Sequence, residues 1–388
     1  MKVYNKKLLE NTFLMEEAKS LRNGKFINPD QFFKIKNTLE QLKTQPNYLI
    51  RIGCFLLGML LYASICGALS LITLPLHDNA NFDFAIFIYG YAVVGFIGSE
   101  FLTRNNYYNF GLDDAFILIF QLQLFTAIGF SSDNKLAVAV TMAVIGTLAC
   151  LRYVNTLSAL IALLGISGTA GILVVDYGIL PTAFLPFVML LLAMLLYWIF
   201  VFLDKKSEAY FYQYPLQLLQ VFALILGYAS VNYLVVRELS VELMGIEVTA
   251  GTDIPFAFIF YFLTFAIPIA YVIFALLKKK REFLIVGLLA FAFSVYTIRH
   301  YHSVMPIETA LILGGILFFA VAYFGIVKLR HKEKGLTFEP DRHNDKNALL
   351  HAQALIINSQ LQQHPTPTED PMAFGGGGFS GGGAGETY

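Results

Sequence analysis

Charge is scarce in this sequence. Asp, Glu, Lys and Arg make up only 14% of its 388 residues, against about 25% in a soluble domain. Lys+Arg and Asp+Glu balance at 27 each, so net charge points to neither nucleic acid nor an acidic substrate. Cysteine is scarcer still. Cys54, Cys66 and Cys150 form no CxxC pair and no metal-type spacing, which argues against a disulfide framework and leaves buried free thiols as the expectation. Also missing are a P-loop, an HExxH pair, a dinucleotide fingerprint after a strand and a nucleophile elbow. An enzyme would have to use none of these recognisable kits, and neither catalysis nor a cofactor is expected.

What the chain has in abundance is apolar sequence. Residues of hydrophobic type reach 57%, gathered between 48 and 330 in segments that approach or exceed the ~18 residues needed to cross a hydrocarbon core. Ten segments can be placed, near 49–74, 83–102, 113–131, 135–152, 156–175, 182–203, 213–235, 254–277, 282–299 and 306–328. The fold class is therefore all-α, a polytopic transmembrane helix bundle, with a head over 1–47 and a tail over 331–388. One alternating set of connections holds Arg104, Arg152, Lys205, Lys206 and the run Lys278 to Arg281. The other holds only Lys135, Arg237 and Arg299. This bias places the first set, and with it both termini, on the cytoplasmic side. The aromatic anchors agree: Trp198 precedes Lys205, and Tyr107, Tyr108, Tyr210 and Tyr212 fall at cytoplasmic ends. The longest outer loop, 236–253, is acidic.

The head has no early apolar core of the signal-peptide kind, so the first segment is expected to act as an uncleaved anchor. Apolar positions Leu8, Leu9, Phe13, Leu14, Ala18 and Leu21 recur at a helical period. Gly24 suits a helix stop, and Asn28 with Pro29 and Asp30 suits the start of a second helix. That helix would carry Phe32, Phe33, Ile35, Leu39 and Leu42 on one side. A helical hairpin this small is expected to dock on a partner or on its own membrane domain. The tail offers a short helix at 344–361, then the low-complexity end FGGGGFSGGGAGETY, whose composition cannot repay ordering.

Few polar groups remain to weigh for chemistry. Gly165-Ile166-Ser167-Gly168 matches the GxSG pattern of rhomboid-type intramembrane proteases, but such a serine needs a base at its own depth. All seven histidines lie at segment ends, in loops or in the tail. The stretch Gly165 to Gly171 is then a small-residue face for close helix approach. Arg299, His300, His302 and Glu308 gather at the outer end of the last two segments, where interfacial ion pairing competes with a ligand or proton site. The amides Gln121, Gln123, Gln217 and Gln220 call for partners within the bundle. Glu100 and Arg104 are placed for a local ion pair, and Pro268 for a kink. The candidate ligand set is thus Arg299, His300, His302, Glu308, Gln121, Gln123, Ser167 and Gln217, with no metal site among them.

With the stretches LRNGKFINPDQFFKIKNTLEQL and IRHYHSVMPIETALILGGILFFAVAYFGIVKLRH, the chain resembles bacterial polytopic inner-membrane proteins grouped only as domains of unknown function. The head is also similar to short helical oligomerisation modules. The glycine-rich tail resembles the C-termini of bacterial membrane proteins carrying a TPM domain, although it ends in tyrosine rather than tryptophan and no TPM domain precedes it. These resemblances imply a bacterial inner-membrane protein and transfer no activity. The expected role is a non-catalytic sensor, scaffold or assembly factor. Its partners would be the lipid bilayer and a cytoplasmic protein bound through head or tail, with no nucleic acid. The alternative is a small-solute secondary transporter built from two inverted five-helix halves, of the drug/metabolite-permease plan, divided at VDYGILPT.

Overall fold

The structure is a computed structural model that describes residues 3–23, 26–77, 84–206, 208–244, 254 and 256–301, with scattered positions between 309 and 327. It is all-α. Twelve α-helices follow one another in the described chain, and Lys43 with Tyr107 forms an isolated parallel β-bridge. Eight of these helices are long and apolar enough to cross a membrane, or nine if one bent pair is a single span. Most of the segment expected at 306–328 lies outside the described residues, and those of its positions that are described are helical. The tail from 331 onward, including the helix expected at 344–361, lies outside them too.

The chain falls into two compact units, one of Met1–Thr12 with Gln41–Lys346 and one of Phe13–Glu40 with Asn347–Tyr388, the last stretch lying outside the described residues. The smaller unit takes the greater part of α1 (Lys6–Asn23) and all of α2 (Pro29–Thr38). Gln31 accepts the Asn28 N–H at 2.7 Å, and Pro29, which has no N–H to lose, opens the helix. Met15, Ala18, Leu21, Ile27 and Ile35 close a small core, backed by Phe32 and Leu39. Two residues depart from the expected apolar side of α2. Phe33 is 62% exposed, and Leu42, beyond the helix end, is buried in the other unit with its N–H on Thr12 Oγ1 at 3.0 Å.

The larger unit begins with α3 (Tyr48–His77), α4 (Phe84–Arg104), α5 (Leu112–Ser132), α6 (Lys135–Tyr153) and α7 (Thr156–Val175). Among them α5 is central, packing on α3, α4, α6 and α7. Tight turns join the hairpins. Asp133 and Val154 take left-handed backbone, and the next residue in each case caps the following helix: Asn134 accepts from Leu136 and Ala137, Asn155 from Ser158. Gly111 opens α5 at φ +103°, where a Cβ would lie 2.2 Å from the Arg51 carbonyl oxygen. Helices α6 and α7 meet at Gly146 and Gly165. A Cβ at Gly165 would lie 2.3 Å from the Ala143 nitrogen, and one at Gly146 2.6 Å from the Ala162 nitrogen. The small-residue reading therefore holds at Gly165, whereas a Cβ at Gly168 would meet Ala139 at an ordinary 3.8 Å.

The remainder comprises α8 (Leu185–Asp204), α9 (Gln213–Ala229), α10 (Tyr233–Met244), α11 (Ala257–Lys278) and α12 (Arg281–Tyr301). Here the segment expected as one span at 213–235 is not one continuous helix. It breaks between Ala229 and Tyr233, and the two pieces meet at 74°. The first part of the expected outer loop 236–253 is helix α10, and 245–253 lie outside the described residues. Helix α11 runs on through Pro268. Neighbours differ between the halves: α3 packs chiefly on α5, while α8 packs on α9 and α7.

Because the obstruction at Gly165 is backbone and that at Gly168 is a distant methyl, two substitutions should separate. Gly165→Ala is expected to destabilise the bundle by about 1–3 kcal/mol, and Gly168→Ala to be neutral. Thermal unfolding in detergent would compare them, and equal midpoints would refute the close crossing.

Candidate functional site

Three hydrogen-bonded polar clusters form inside the larger unit. The first joins α3, α5 and α7 near their N-terminal ends. Asp114 is almost fully buried. It accepts from Arg51 through Nε at 3.0 Å and Nη2 at 2.6 Å, and from Asn155 Nδ2 at 2.8 Å. Arg51 also donates to Asn109 Oδ1 at 3.0 Å. Asn155 passes the chain on to the Ser158 hydroxyl, which accepts from Gln121 Nε2 at 2.9 Å. Beside it Asp113 accepts the Phe110 and Gly111 N–H groups, each at 3.0 Å. Two adjacent carboxylates thus have different tasks: Asp113 caps its own helix, and Asp114 ties three helices together.

The second cluster ties α4 to α6. Glu100 accepts from Arg152 through Nε at 2.7 Å and Nη2 at 2.8 Å, and from the Tyr153 hydroxyl at 2.6 Å. The local pair expected for Glu100 is present as well: Arg104 Nε, one turn along, lies 3.8 Å from Oε2, a longer contact than the two parallel bonds that the planar guanidinium of Arg152 makes. The chain start joins here: the Val3 N–H donates to the Arg152 carbonyl at 3.1 Å. Tyr4 lies edge-on to Tyr108 with ring centroids 5.2 Å apart, and its buried hydroxyl has no hydrogen-bond partner among the described residues. Burial, with Asp113 next in weight, pushes the Tyr4 phenol well above its usual range, so it is neutral at physiological pH.

The third cluster surrounds the break between α9 and α10, and its cause is legible atom by atom. Pro268 has no N–H to give the carbonyl four residues earlier, which is that of Thr264. The Ser294 hydroxyl of α12 donates to that carbonyl at 2.6 Å. Tyr228 lies 2.8 Å from Ser294 Oγ and accepts from Asn232 Nδ2 at 2.8 Å. Asn232 also reaches Thr297 Oγ1 at 3.0 Å and accepts the Val235 N–H at 3.3 Å. The Tyr233 N–H, freed by the bend, donates to Thr264 Oγ1 at 2.9 Å. Thr264, Ser294 and Thr297 thus receive the bent chain. At the end of α12, Arg237 lies over the Tyr301 ring at 4.4 Å and donates to Tyr233 Oη at 3.0 Å. Tyr301 donates to Glu238 at 2.5 Å.

Against this frame the sequence candidates scatter. Gln121 is fully buried, with Nε2 on Ser158 and on the Ile117 carbonyl at 2.7 Å and with Oε1 unpartnered. Gln123 is half-buried, and Gln217 is exposed, whereas Gln220 is the buried amide of α9. Ser167 donates to the Leu163 carbonyl of its own helix at 2.9 Å. Arg299 is half-buried with an enclosed, unpartnered Nη1, and His300 is exposed beside Tyr296. His302 and Glu308 lie outside the described residues. No hydrogen bond joins any two of these candidates among the described residues, and no three His, Cys, Asp or Glu side chains there gather to hold a metal ion. Asp114, Asn155, Arg152, Asn232, Ser294 and Thr297 went unread. Their signals were present in part: adjacent acids at the start of an apolar segment, an Asn before a Thr, and the interruption SVN within 213–235.

Removing the Asp114 carboxylate leaves Arg51 and Asn155 without their acceptor, and Asp114→Ala should cost about 3 kcal/mol, read from thermal unfolding in detergent. Ser294→Ala should cost about 1–3 kcal/mol by orphaning the Thr264 carbonyl. Restoring an N–H with Pro268→Ala should shrink that cost, so a double-mutant cycle with no coupling would refute the assignment. Comparison of the chain with protein-family models, with curated proteins and with solved structures returns no match.

Proposed function

We propose that this is a non-catalytic bacterial inner-membrane protein, a sensor, scaffold or assembly factor that engages a protein partner through its cytoplasmic head. The observation that carries this reading is on the smaller unit. Phe26 and Phe33 are 77% and 62% exposed, although Phe32 beside them packs into the core. Exposed aromatic side chains on a small helical unit suit a partner contact. The three polar clusters support it from the other side. They use the polar groups of the bundle to lock helices together, and buried networks of this kind rigidify. The Lys and Arg bias supports a cytoplasmic position for the head.

A photo-crosslinker in place of Phe33, in the full chain in its native membrane, tests the reading. A discrete adduct that disappears when Phe26→Ser is added is the expected result. Crosslinking only to lipid, or to a smear of proteins that Phe26→Ser leaves unchanged, would defeat it.

The second reading, a small-solute secondary transporter with two inverted five-helix halves, draws on the broken helix α9–α10, since discontinuous helices frame many transport sites. Against it stands the difference in helix neighbours between the halves. If the break is a working hinge, Asn232→Ala should abolish solute flux into proteoliposomes. If it is structural, the same change should only lower the melting temperature, consistent with a loss of about 1–3 kcal/mol.

A further inference from the structure

The stretch Val3–Thr12 lies along one end of the larger unit, held there mainly by apolar burial. Val3 packs on Ile117 and Phe120 of α5 and on Ala149 and Tyr153 of α6, and its N–H donates to the Arg152 carbonyl. Tyr4 is buried against the Tyr108 ring, and Leu9 is fully buried. Glu10 accepts from the Tyr210 hydroxyl. Thr12 Oγ1 accepts the Leu42 N–H at 3.0 Å. The next residue, Lys43, pairs with the α4–α5 loop: its N–H donates to the Asn106 carbonyl at 2.8 Å, and its carbonyl accepts from Tyr108 at 3.1 Å. Val3–Thr12 thus reaches the loop after α4, the last turn of α6 and the loop after α8.

One group in this contact works against it. The Tyr4 hydroxyl is enclosed without a hydrogen-bond partner among the described residues, and Asp113 is foremost among the charges that act on it. In water the same hydroxyl would be solvated, so closure carries a cost that release recovers. Apolar area favours the closed state and the orphaned hydroxyl opposes it, which brings closed and released states nearer in free energy.

Helix α1 supplies the means of moving this stretch. It is one helix, Lys6–Asn23, and the division between the two units falls inside it, after Thr12. A displacement of Phe13–Asn23 with the smaller unit therefore draws Lys6–Thr12 along, since a continuous hydrogen-bonded helix moves as one body.

We propose that Val3–Thr12 is a releasable latch on the ends of α4, α5 and α6, withdrawn when a partner engages the smaller unit. The proposal rests on the reading that Phe33 meets a protein partner, and it names how that contact is passed on. Withdrawal removes the Val3 N–H from the Arg152 carbonyl and the Val3 side chain from Tyr153, the two residues that hold Glu100 and so tie α4 to α6.

The test uses the full chain carrying the photo-crosslinker at position 33, with Cys54, Cys66 and Cys150 replaced by alanine and Val3→Cys as its single thiol. After irradiation in the native membrane, the membranes are opened by freeze–thaw and treated with a charged maleimide. Labelling is then read separately in the adduct and in the free chain, which differ in size. The adduct is expected to label at least roughly tenfold faster, as a minor released state becomes the major one. Tyr4→Phe removes the orphaned hydroxyl and should slow labelling of the free chain roughly tenfold. A discrete adduct that labels no faster than the free chain leaves the partner contact standing and overturns the latch. Labelling that Tyr4→Phe leaves unchanged or accelerates overturns it as well. A chain that forms no adduct defeats the partner reading, and the proposal with it.

Discussion

A backbone carbonyl without a donor costs several kcal/mol inside hydrocarbon, and the second half of this bundle is arranged around one such carbonyl, that of Thr264. Proline at 268 removes its natural donor. Ser294 of α12 replaces it, which sets the register between α11 and α12. The Thr264 hydroxyl then receives the Tyr233 N–H, so the helix that includes α9 can turn sharply without leaving its own first amide unsatisfied. Asn232 completes the turn by capping α10 and holding Tyr228 and Thr297. A single missing N–H thus accounts for a chain of contacts across α9, α10, α11 and α12.

The first half obeys the same constraint with charge in place of backbone. Lipid offers no solvation to a carboxylate, so Asp114 and Glu100 persist only where arginine reaches them. Each is met by two nitrogens of one guanidinium and by one further donor. These pairs sit at helix ends, where Arg51 and Arg152 keep part of their surface open. Close crossing of α6 and α7 at Gly146 and Gly165 brings their ends together, which places Asn155 and Ser158 beside Asp114 and Gln121. Packing by small residues and pairing by polar ones are therefore two parts of one arrangement.

A bundle whose polar groups are used in holding its helices has few left for substrate. That consideration supports the contact role proposed for this chain. Under that proposal the contact falls on the exposed phenylalanines of the smaller unit, Phe26 and Phe33.

The sequence by itself determined the all-α class, the positions of the long apolar helices to within a few residues except across the α9–α10 break, and the capped start of α2. Apolar run length, helical period and terminal side chains are properties of a segment taken alone, so they need no knowledge of neighbours. It also marked Gly165 as a packing position and Gln121 as an amide in need of a partner. The tertiary structure decided who those partners are. Glu100 keeps the cation one turn away in the chain at 3.8 Å and makes its short bonds to Arg152 on another helix, a partner that nearness in sequence does not reveal. Gln220 is buried while Gln217, one turn earlier, is exposed. The break at Asn232 lay inside an apolar run that only Ser230 and Asn232 interrupt, too little for run length alone to mark it. It exists because Thr264, Ser294 and Thr297, brought alongside from two other helices, supply the hydrogen bonds that a continuous helix would have made within itself.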